Sequence, residues 1–176
     1  MSSWRDRANY LLAAIIVFLL DQITKKAVTQ GMVQHESITV IPDFLNLTYI
    51  HNRGAVFGLG SSVTSPYLSW GLSILSVVSL AIILVYFLRL NVRNSRMYFG
   101  LALVLGGALG NLYDRLRYGY VIDFIDLHWF DRHWPFFNVA DMAICIGVGL
   151  LLISMSAKTE PVDTAPPMNA ATPSEP

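Results

Sequence analysis

The stretch Tyr67–Leu90, which reads YLSWGLSILSVVSLAIILVYFLRL, decides the fold class. A helix that crosses a bilayer needs about 20 apolar residues at a rise of about 1.5 Å each, and no charged residue occurs between Arg53 and Arg89. Three further apolar stretches of similar length span about 8–28, 97–113 and 137–157. The sequence therefore predicts an all-α integral membrane protein with four transmembrane helices.

The composition supports this class. Of the 176 residues, 54% are hydrophobic and 14% are charged, and twelve basic residues balance twelve acidic ones. Soluble domains carry about 25% charged residues, and disordered chains combine low hydrophobicity with high net charge, so both classes are disfavoured. Neutrality also argues against nucleic-acid binding. The single cysteine, Cys145, cannot form an internal disulfide and lies in no zinc-site pattern.

The arginines predict the orientation in the membrane. Four spans place both termini on the same side. Arg89, Arg93 and Arg96 crowd one short turn without an acidic residue, and such turns face the cytoplasm. We therefore expect cytoplasmic termini and outward-facing connections after the first and third spans. No small-x-small cleavage site follows the first span, so we expect it to be retained.

The two outward connections differ in composition. Nine of the 25 residues in 113–137 are aromatic, which is typical of a segment lying at the membrane interface. Apolar and polar residues alternate from Leu45 to Tyr49, which predicts a small periplasmic β-platform over about 38–60. Residues 159–176 hold five of the eight prolines. They predict a disordered cytoplasmic tail and leave 1–158 as the membrane domain.

Polar residues cluster at the outward ends of the spans. An ionisable residue within a span costs about 2.5–3.5 kcal/mol on insertion scales and is a candidate for function. Several share a helix face through spacings of three or four residues: Asp21 with Lys25, Gly107 with Asn111, Asp114 and Arg115, and Asn138 with Asp141. An intrahelical ion pair or an interfacial anchor remains an alternative interpretation for Asp21, Lys25 and Asp114.

Asp141 is the hardest of these residues to explain structurally, because an unpaired carboxylate at the start of a span is costly. With an aspartate from the preceding connection it would form a carboxylate pair near the outer surface. One member of such a pair keeps a proton near neutral pH, so the two can act as general acid and general base on a bound water. The spacing leaves both Asp123 and Asp126 open as the partner.

Five short polar stretches follow one another at the ends of the predicted spans. They are Asp21-Gln-Ile-Thr-Lys25, Asn52-Arg-Gly-Ala-Val-Phe57, Gly106-Gly-Ala-Leu-Gly-Asn-Leu-Tyr-Asp-Arg115, Val121-Ile-Asp-Phe124 and Phe137-Asn-Val-Ala-Asp141. In this order the chain resembles the lipoprotein signal peptidases, the signal peptidase II family of bacterial membrane aspartyl proteases. Each stretch alone is a weak pattern, but the five in order are specific.

This resemblance implies roles for individual residues. Asp123 and Asp141 match the family's catalytic pair, so the resemblance favours Asp123 over Asp126. The other matching positions form the expected substrate site: Asp21, Lys25, Asn52, Gly54, Gly107, Asn111, Arg115 and Asn138. The implied enzyme is an aspartic endopeptidase of the bacterial inner membrane, with its active site near the periplasmic surface.

The resemblance also implies the partners. The expected substrate is a prolipoprotein whose cysteine bears a diacylglyceryl group, and the cut falls on the N-terminal side of that cysteine. Membrane lipid is the other expected partner, and a monomer without a metal or organic cofactor is expected. A metal-dependent lipid head-group transferase would need three or more acids at regular helical spacing, which the sequence lacks. A proton-coupled carrier, the alternative function, would place polar residues at mid-bilayer rather than at one end.

Overall fold

The computed structural model describes residues 4–54, 66–90 and 94–156, and for residues 4–6 and 66–69 it describes only the backbone. The predicted tail, the last part of the predicted platform and the family stretch beyond Gly54 lie outside the described residues.

Four helices carry the four predicted apolar stretches. They are α1 (Trp4–Gly31), α2 (Pro66–Arg89), α3 (Ser95–Tyr118) and α4 (Val139–Ser156). Among the described residues, two stretches are long and apolar enough by composition alone to cross a membrane, Trp70–Arg89 and Val139–Ser156. The other two helices, α1 and α3, carry the polar residues that the sequence analysis placed at the outward ends.

A four-stranded antiparallel sheet lies at one end of the helices. Its strands run in the order β1 (Ser37–Ile41), β2 (Leu45–Asn52), β3 (Val121–Trp129) and β4 (Arg132–His133). The first two strands lie in the predicted platform. The connection after α3 was expected only as an interfacial aromatic segment, and this was incomplete, because it supplies half of the strands. Its aromatic density obscured the β-branched run that begins at Val121.

The sheet is fixed to α1 by a small apolar core. Val28 of α1, Tyr49 of β2, and Ile122 and Phe124 of β3 are all buried and pack together. Burial of such side chains stabilises the contact by about 1.5–3 kcal/mol each. The core therefore fixes the position of β3, and with it the position of Asp123, relative to the polar end of α1.

Helix α3 lies at the centre of the bundle and contacts the other three helices. Glycines make its contact with α4 close. A Cβ added at Gly147 would lie 2.6 Å from the carbonyl oxygen of Gly100, and one added at Gly100 would lie 2.9 Å from the carbonyl oxygen of Gly147. Both distances are shorter than a van der Waals contact. The two helix backbones can approach this closely only because neither position carries a side chain.

Replacing Gly147 by alanine should therefore lower the thermal stability of the protein in detergent. The added methyl meets backbone and the side chain of Val104 at 2.7 Å, and such overpacking costs about 1–3 kcal/mol. The matched control is Gly149→Ala on the same helix, where a Cβ meets nothing within 4 Å. Equal melting temperatures for the two variants would contradict the close approach of α3 and α4.

Candidate active site

The start of α4 is capped by two side chains that bond to each other's backbone. Asn138 precedes the helix, and its Oδ1 accepts a hydrogen bond from the backbone N–H of Asp141 at 3.0 Å. In return, Asp141 Oδ2 accepts one from the backbone N–H of Asn138 at 3.2 Å. This reciprocal pattern is a capping box, and it places the carboxylate at the positive end of the helix dipole. The fold therefore accounts for an acid at the start of α4.

Asn138 also joins the two acids that the resemblance predicted as a pair. Its Nδ2 donates to Asp123 Oδ1 at 2.7 Å, while its other polar groups hold Asp141. Helix α3 ends at Gly119, whose φ of 78° reverses the chain, and β3 then brings Asp123 back towards α4. One residue thus connects an aspartate of a strand to an aspartate of a helix, through its side chain and its backbone N–H.

Asp123 is almost completely buried, with 1% of its surface exposed. Its second oxygen accepts a hydrogen bond from Asn52 Nδ2 at 2.8 Å. The pKa of Asp123 is raised to about 7. Burial is the largest cause and the negative charge of Asp141 acts in the same direction, whereas hydrogen bonds from Asn52 and Asn138 and the charge of Lys25 act in the opposite direction. This carboxyl group is therefore suited to hold a proton near neutral pH.

Asn52 is held in place by the turn that follows β2. Its Oδ1 accepts a hydrogen bond from the backbone N–H of Gly54 at 2.9 Å. Gly54 has a φ of 112°, which only glycine adopts readily. Gly54 thus contributes through its backbone conformation, and it leaves the Asn52 amide pointing at Asp123.

Asp141 lies in a different environment. It is partly exposed, and its Oδ1 accepts a hydrogen bond from Asn111 Nδ2 at 2.7 Å. Together with the Asn138 N–H, this gives the carboxylate two amide donors. The two acids therefore differ in burial, and both accept from Asn138, Asp123 from its side-chain Nδ2 and Asp141 from its backbone N–H. Such a difference in environment separates an acid role from a base role.

Asp126 lies elsewhere, although spacing alone did not distinguish it from Asp123. The two residues are three apart on β3, and side chains alternate between the faces of a strand, so they point to opposite faces. Asp126 Oδ1 pairs with His133 Nδ1 at 2.7 Å, and its Oδ2 accepts from Thr48 Oγ1 at 3.4 Å. The geometry brings Asp123, not Asp126, to Asp141.

A buried ion cluster lies directly behind the carboxylate pair. The Lys25 ammonium is 2.8 Å from Asp21 Oδ2 and 2.8 Å from Asp114 Oδ2, and all three side chains are at most 2% exposed. Gln22 Nε2 donates to Asp21 and to Asp114, each at 3.1 Å. Neither Gln22 nor Asp114 is among the residues that the resemblance implies for the substrate site, although spacing along α3 places Asp114 on the same face as Asn111.

The remaining predicted residues, Arg115 and Gly107, lie on α3 near the aspartate pair. Arg115 is half-buried, and its Nη1 donates to Ser76 Oγ of α2 at 3.4 Å, while its positive charge interacts with Asp141 and Asp123. Gly107 is buried against α4 beside Ala140 and Ile144, where it allows close helix packing. In the part of the chain that the structure describes, no three His, Cys, Asp or Glu residues are grouped to hold a metal ion.

Comparison with known proteins gives the same assignment along most of the chain. A family model for signal peptidase (SPase) II matches residues 13–157. The lipoprotein signal peptidase of Syntrophus aciditrophicus is 47% identical over 151 residues, which cover 85% of this chain and 92% of the relative. That of Syntrophotalea carbinolica is 40% identical over 148 residues, covering 82% and 88% respectively.

A solved structure has the same fold. It is described as a bacterial membrane enzyme determined by the in meso method at 1.9 Å resolution, with a TM-score of 0.74, 33% sequence identity, and coverage of 86% of this chain and 95% of that chain. The family model spans far more than half of the chain, and both relatives exceed 30% identity over most of their length. The chain therefore belongs to the signal peptidase II family of aspartic endopeptidases.

Proposed function

We propose that this protein removes signal peptides from diacylglyceryl-modified prolipoproteins by activating a water molecule between Asp123 and Asp141. The observation that carries this proposal is the Asn138 bridge, which links a buried carboxyl group to a partly exposed one. The peptide bond cut is the one on the N-terminal side of the lipidated cysteine. Family membership supports the substrate class, and the geometry supports the chemistry.

The different environments of the two acids support different roles in the proposed reaction. Asp141, as the carboxylate, takes a proton from the water, and the resulting hydroxide attacks the scissile carbonyl carbon. Asp123, as the protonated acid, donates its proton to the carbonyl oxygen, which leaves a neutral tetrahedral diol. The C–N bond then breaks as Asp141 gives its proton to the leaving amine and Asp123 recovers one from the diol. The proton count returns to its starting value.

The neighbouring amides and arginine serve this chemistry. Asn111 and Asn138 hold Asp141, and Asn52 with Asn138 holds Asp123, so neither carboxyl group is free to rotate. Arg115 and Asn52 lie at the edge of the site and are proposed to hold the substrate backbone. Unpaired peptide groups would be costly in a site that faces lipid.

The proposed location is the inner membrane, with all four helices spanning it. Large apolar side chains are exposed on every helix, including Leu12 on α1, Ile82 on α2, Leu116 on α3 and Leu152 on α4. Such surfaces are stable in lipid and unfavourable in water. The substrate helix and its acyl chains would enter between these helices from the bilayer, and a monomer suffices for the site described.

The two ends of the bundle differ in charge, which supports the proposed orientation. Arg7 of α1 donates to the carbonyl oxygens of Leu88 and Leu90 at 2.8 and 3.0 Å, so it lies at the end that carries the short arginine-rich turn. The carboxylate pair and the sheet lie at the opposite end. Cytoplasmic termini and a periplasmic active site follow from the positive-inside rule.

The aspartate pair is tested by Asp123→Asn and Asp141→Asn. Each variant removes one proton carrier while keeping the size of the side chain, so cleavage of a diacylglyceryl-modified prolipoprotein by purified protein in detergent should fall at least about 100-fold. The matched control is Asp126→Asn on the same strand, which should cleave at nearly the parental rate. Parental activity in either of the first two variants would contradict the assignment.

The lipid requirement is tested with the unmodified precursor. Burial of two acyl chains among the helices contributes about 0.8 kcal/mol per CH₂ group, and the unmodified precursor lacks this contribution. It should therefore be cut far more slowly than the modified form in a side-by-side gel assay. Equal cleavage of both precursors would remove lipid recognition from the proposal while leaving the peptidase activity intact.

The raised pKa of Asp123 predicts a pH dependence. Since the proposed acid is protonated below about pH 7 and ionised above it, kcat should fall as the pH rises through about 7. Asn52 stabilises the ionised form by hydrogen bonding, so Asn52→Ala should move this alkaline limb upward by about one pH unit, since such a bond is worth about 1.5 kcal/mol. A limb that moves downward, or does not move, would contradict the assignment of Asp123 as the acid.

A further inference from the structure

Lys25 is a buried cation that the proposed reaction does not use directly. Its side chain is 2% exposed, and the carboxylates of Asp21 and Asp114 beside it are not exposed at all. Removing charges from water costs several kcal/mol per ion, so a buried ion cluster is weak evidence for stability by itself. Well-packed apolar side chains in place of all three residues would serve the fold at least as well. The cluster therefore calls for an explanation beyond stability.

The ammonium has three N–H groups and no acceptor, and the structure provides three acceptors for it. Two are the carboxylate oxygens of Asp21 and Asp114, each 2.8 Å away. The third is Asn111 Oδ1, at 3.1 Å. All the donor capacity of Lys25 is used within the protein, so none is left for a substrate group.

The contact with Asn111 determines which way that amide faces. Asn111 Oδ1 accepts from Lys25, and its Nδ2 donates to Asp141 Oδ1 at 2.7 Å. With the amide turned over, Nδ2 would face the ammonium, donor against donor, and Oδ1 would face the carboxylate, acceptor against acceptor. Both contacts would be repulsive, so the ammonium selects the orientation that delivers an N–H to Asp141.

Asn138 alone is a weaker constraint on Asn111. Its Nδ2 also donates to Asn111 Oδ1 at 3.1 Å, but the same two protons serve Asp123 Oδ1 and the carbonyl oxygen of Ile122. Two protons shared among three acceptors give a bent, weakened set of bonds. Lys25 has one proton for each acceptor and a full positive charge, and hydrogen bonds with a charged partner are about twice as strong as neutral ones.

The two carboxylates of the cluster connect Lys25 to the backbone segments that carry the aspartate pair. Asp21 Oδ1 accepts from the N–H of Ala140, in the first turn of α4, at 3.0 Å. Asp114 Oδ2 accepts from the N–H of Ile122, the residue before Asp123, at 3.1 Å. Through three acceptors, the ammonium is therefore joined to the segments that carry both members of the aspartate pair.

We propose that Lys25 is a positioning residue for the reaction: its ammonium orients the Asn111 amide towards Asp141 and, through Asp21 and Asp114, joins the backbone segments of the aspartate pair. This inference rests on the proposed function, and it replaces the expected contact of Lys25 with substrate by an action through Asn111. A misplaced reacting group costs about 100-fold in rate, so the effect falls on kcat rather than on substrate affinity.

The first test is Lys25→Met, with Lys26→Met as the matched control because Lys26 is exposed on the same helix. With a diacylglyceryl-modified prolipoprotein, Lys25→Met should lower kcat about 100-fold. The KM should stay within about 2-fold of the parental value, because the variant loses an interaction that acts on the reaction rather than on substrate binding. Lys26→Met should match the parent. A folded Lys25→Met variant with parental kcat overturns the inference.

The second test separates orientation of Asn111 from support of the fold. If Lys25 acts mainly through Asn111, adding Lys25→Met to Asn111→Ala should lower kcat far less than Lys25→Met lowers it in the parent, and the remainder reports the links through Asp21 and Asp114. A role in the fold alone would make the two losses multiply, and multiplied losses overturn the inference.

A charge-compensated variant covers the chance that Lys25→Met is too unstable to assay. Lys25→Met/Asp21→Asn removes one positive and one negative charge, and the asparagine keeps an oxygen for the Ala140 N–H. It should melt closer to the parent than Lys25→Met while keeping the low kcat. Restored kcat, or loss of the folded state in both variants, overturns the inference. A parent that fails to cleave would instead contradict the proposed function.

Discussion

The pairing of Asn138 with Asp141 at the start of α4 is the interaction on which the site depends. Backbone N–H groups at a helix start have no partner within the helix, and here Asn138 Oδ1 and Asp21 Oδ1 accept two of them. The Nδ2 group of the same Asn138 side chain donates to Asp123. The residue that caps α4 therefore also fixes the separation of the two acids. A residue of another shape could cap the helix, but it would not join the strand to it.

The sequence predicted the four helices because charge-free stretches of sufficient length have few other interpretations. It predicted the site less completely, because spacing along a helix shows which residues share a face but not which elements meet. Asp123 and Asp126 looked equivalent while their segment was regarded as an aromatic connection. On strand β3, the separation of three positions between Asp123 and Asp126 places their side chains on opposite faces. Spacing placed Asp114 beside Asn111 but gave neither Asp114 nor Gln22 a role in the site, because the contacts of Asp114 with Gln22 and Lys25 join two helices that are far apart in the sequence.

The aspartate pair and the cluster behind it are built from the same kinds of residue and differ in access to water. Asp21 and Asp114 share a buried cation, so their negative charges are partly offset within the protein. Asp123 receives only neutral amide donors, and Asp141 receives neutral donors and is partly exposed. A carboxyl group without a cation in contact retains a proton more readily when buried. The fold thus separates acids that hold the structure from acids that can exchange protons.

The zero net charge of the chain conceals an unequal distribution of charge between the two ends of the bundle. Arg7 donates to the carbonyl oxygens of Leu88 and Leu90 at the end of α2. Asp21, Asp114, Asp123 and Asp141 gather at the other end of the bundle, with Lys25 between Asp21 and Asp114. Two cations, Lys25 and Arg115, lie near these four acids, and amide donors rather than further cations bond to the aspartate pair. Amides are suited to this because they orient a carboxylate without neutralising it. A lysine in direct contact with Asp123 and Asp141 would favour the ionised form of both acids, and the proton needed for the proposed reaction would be lost.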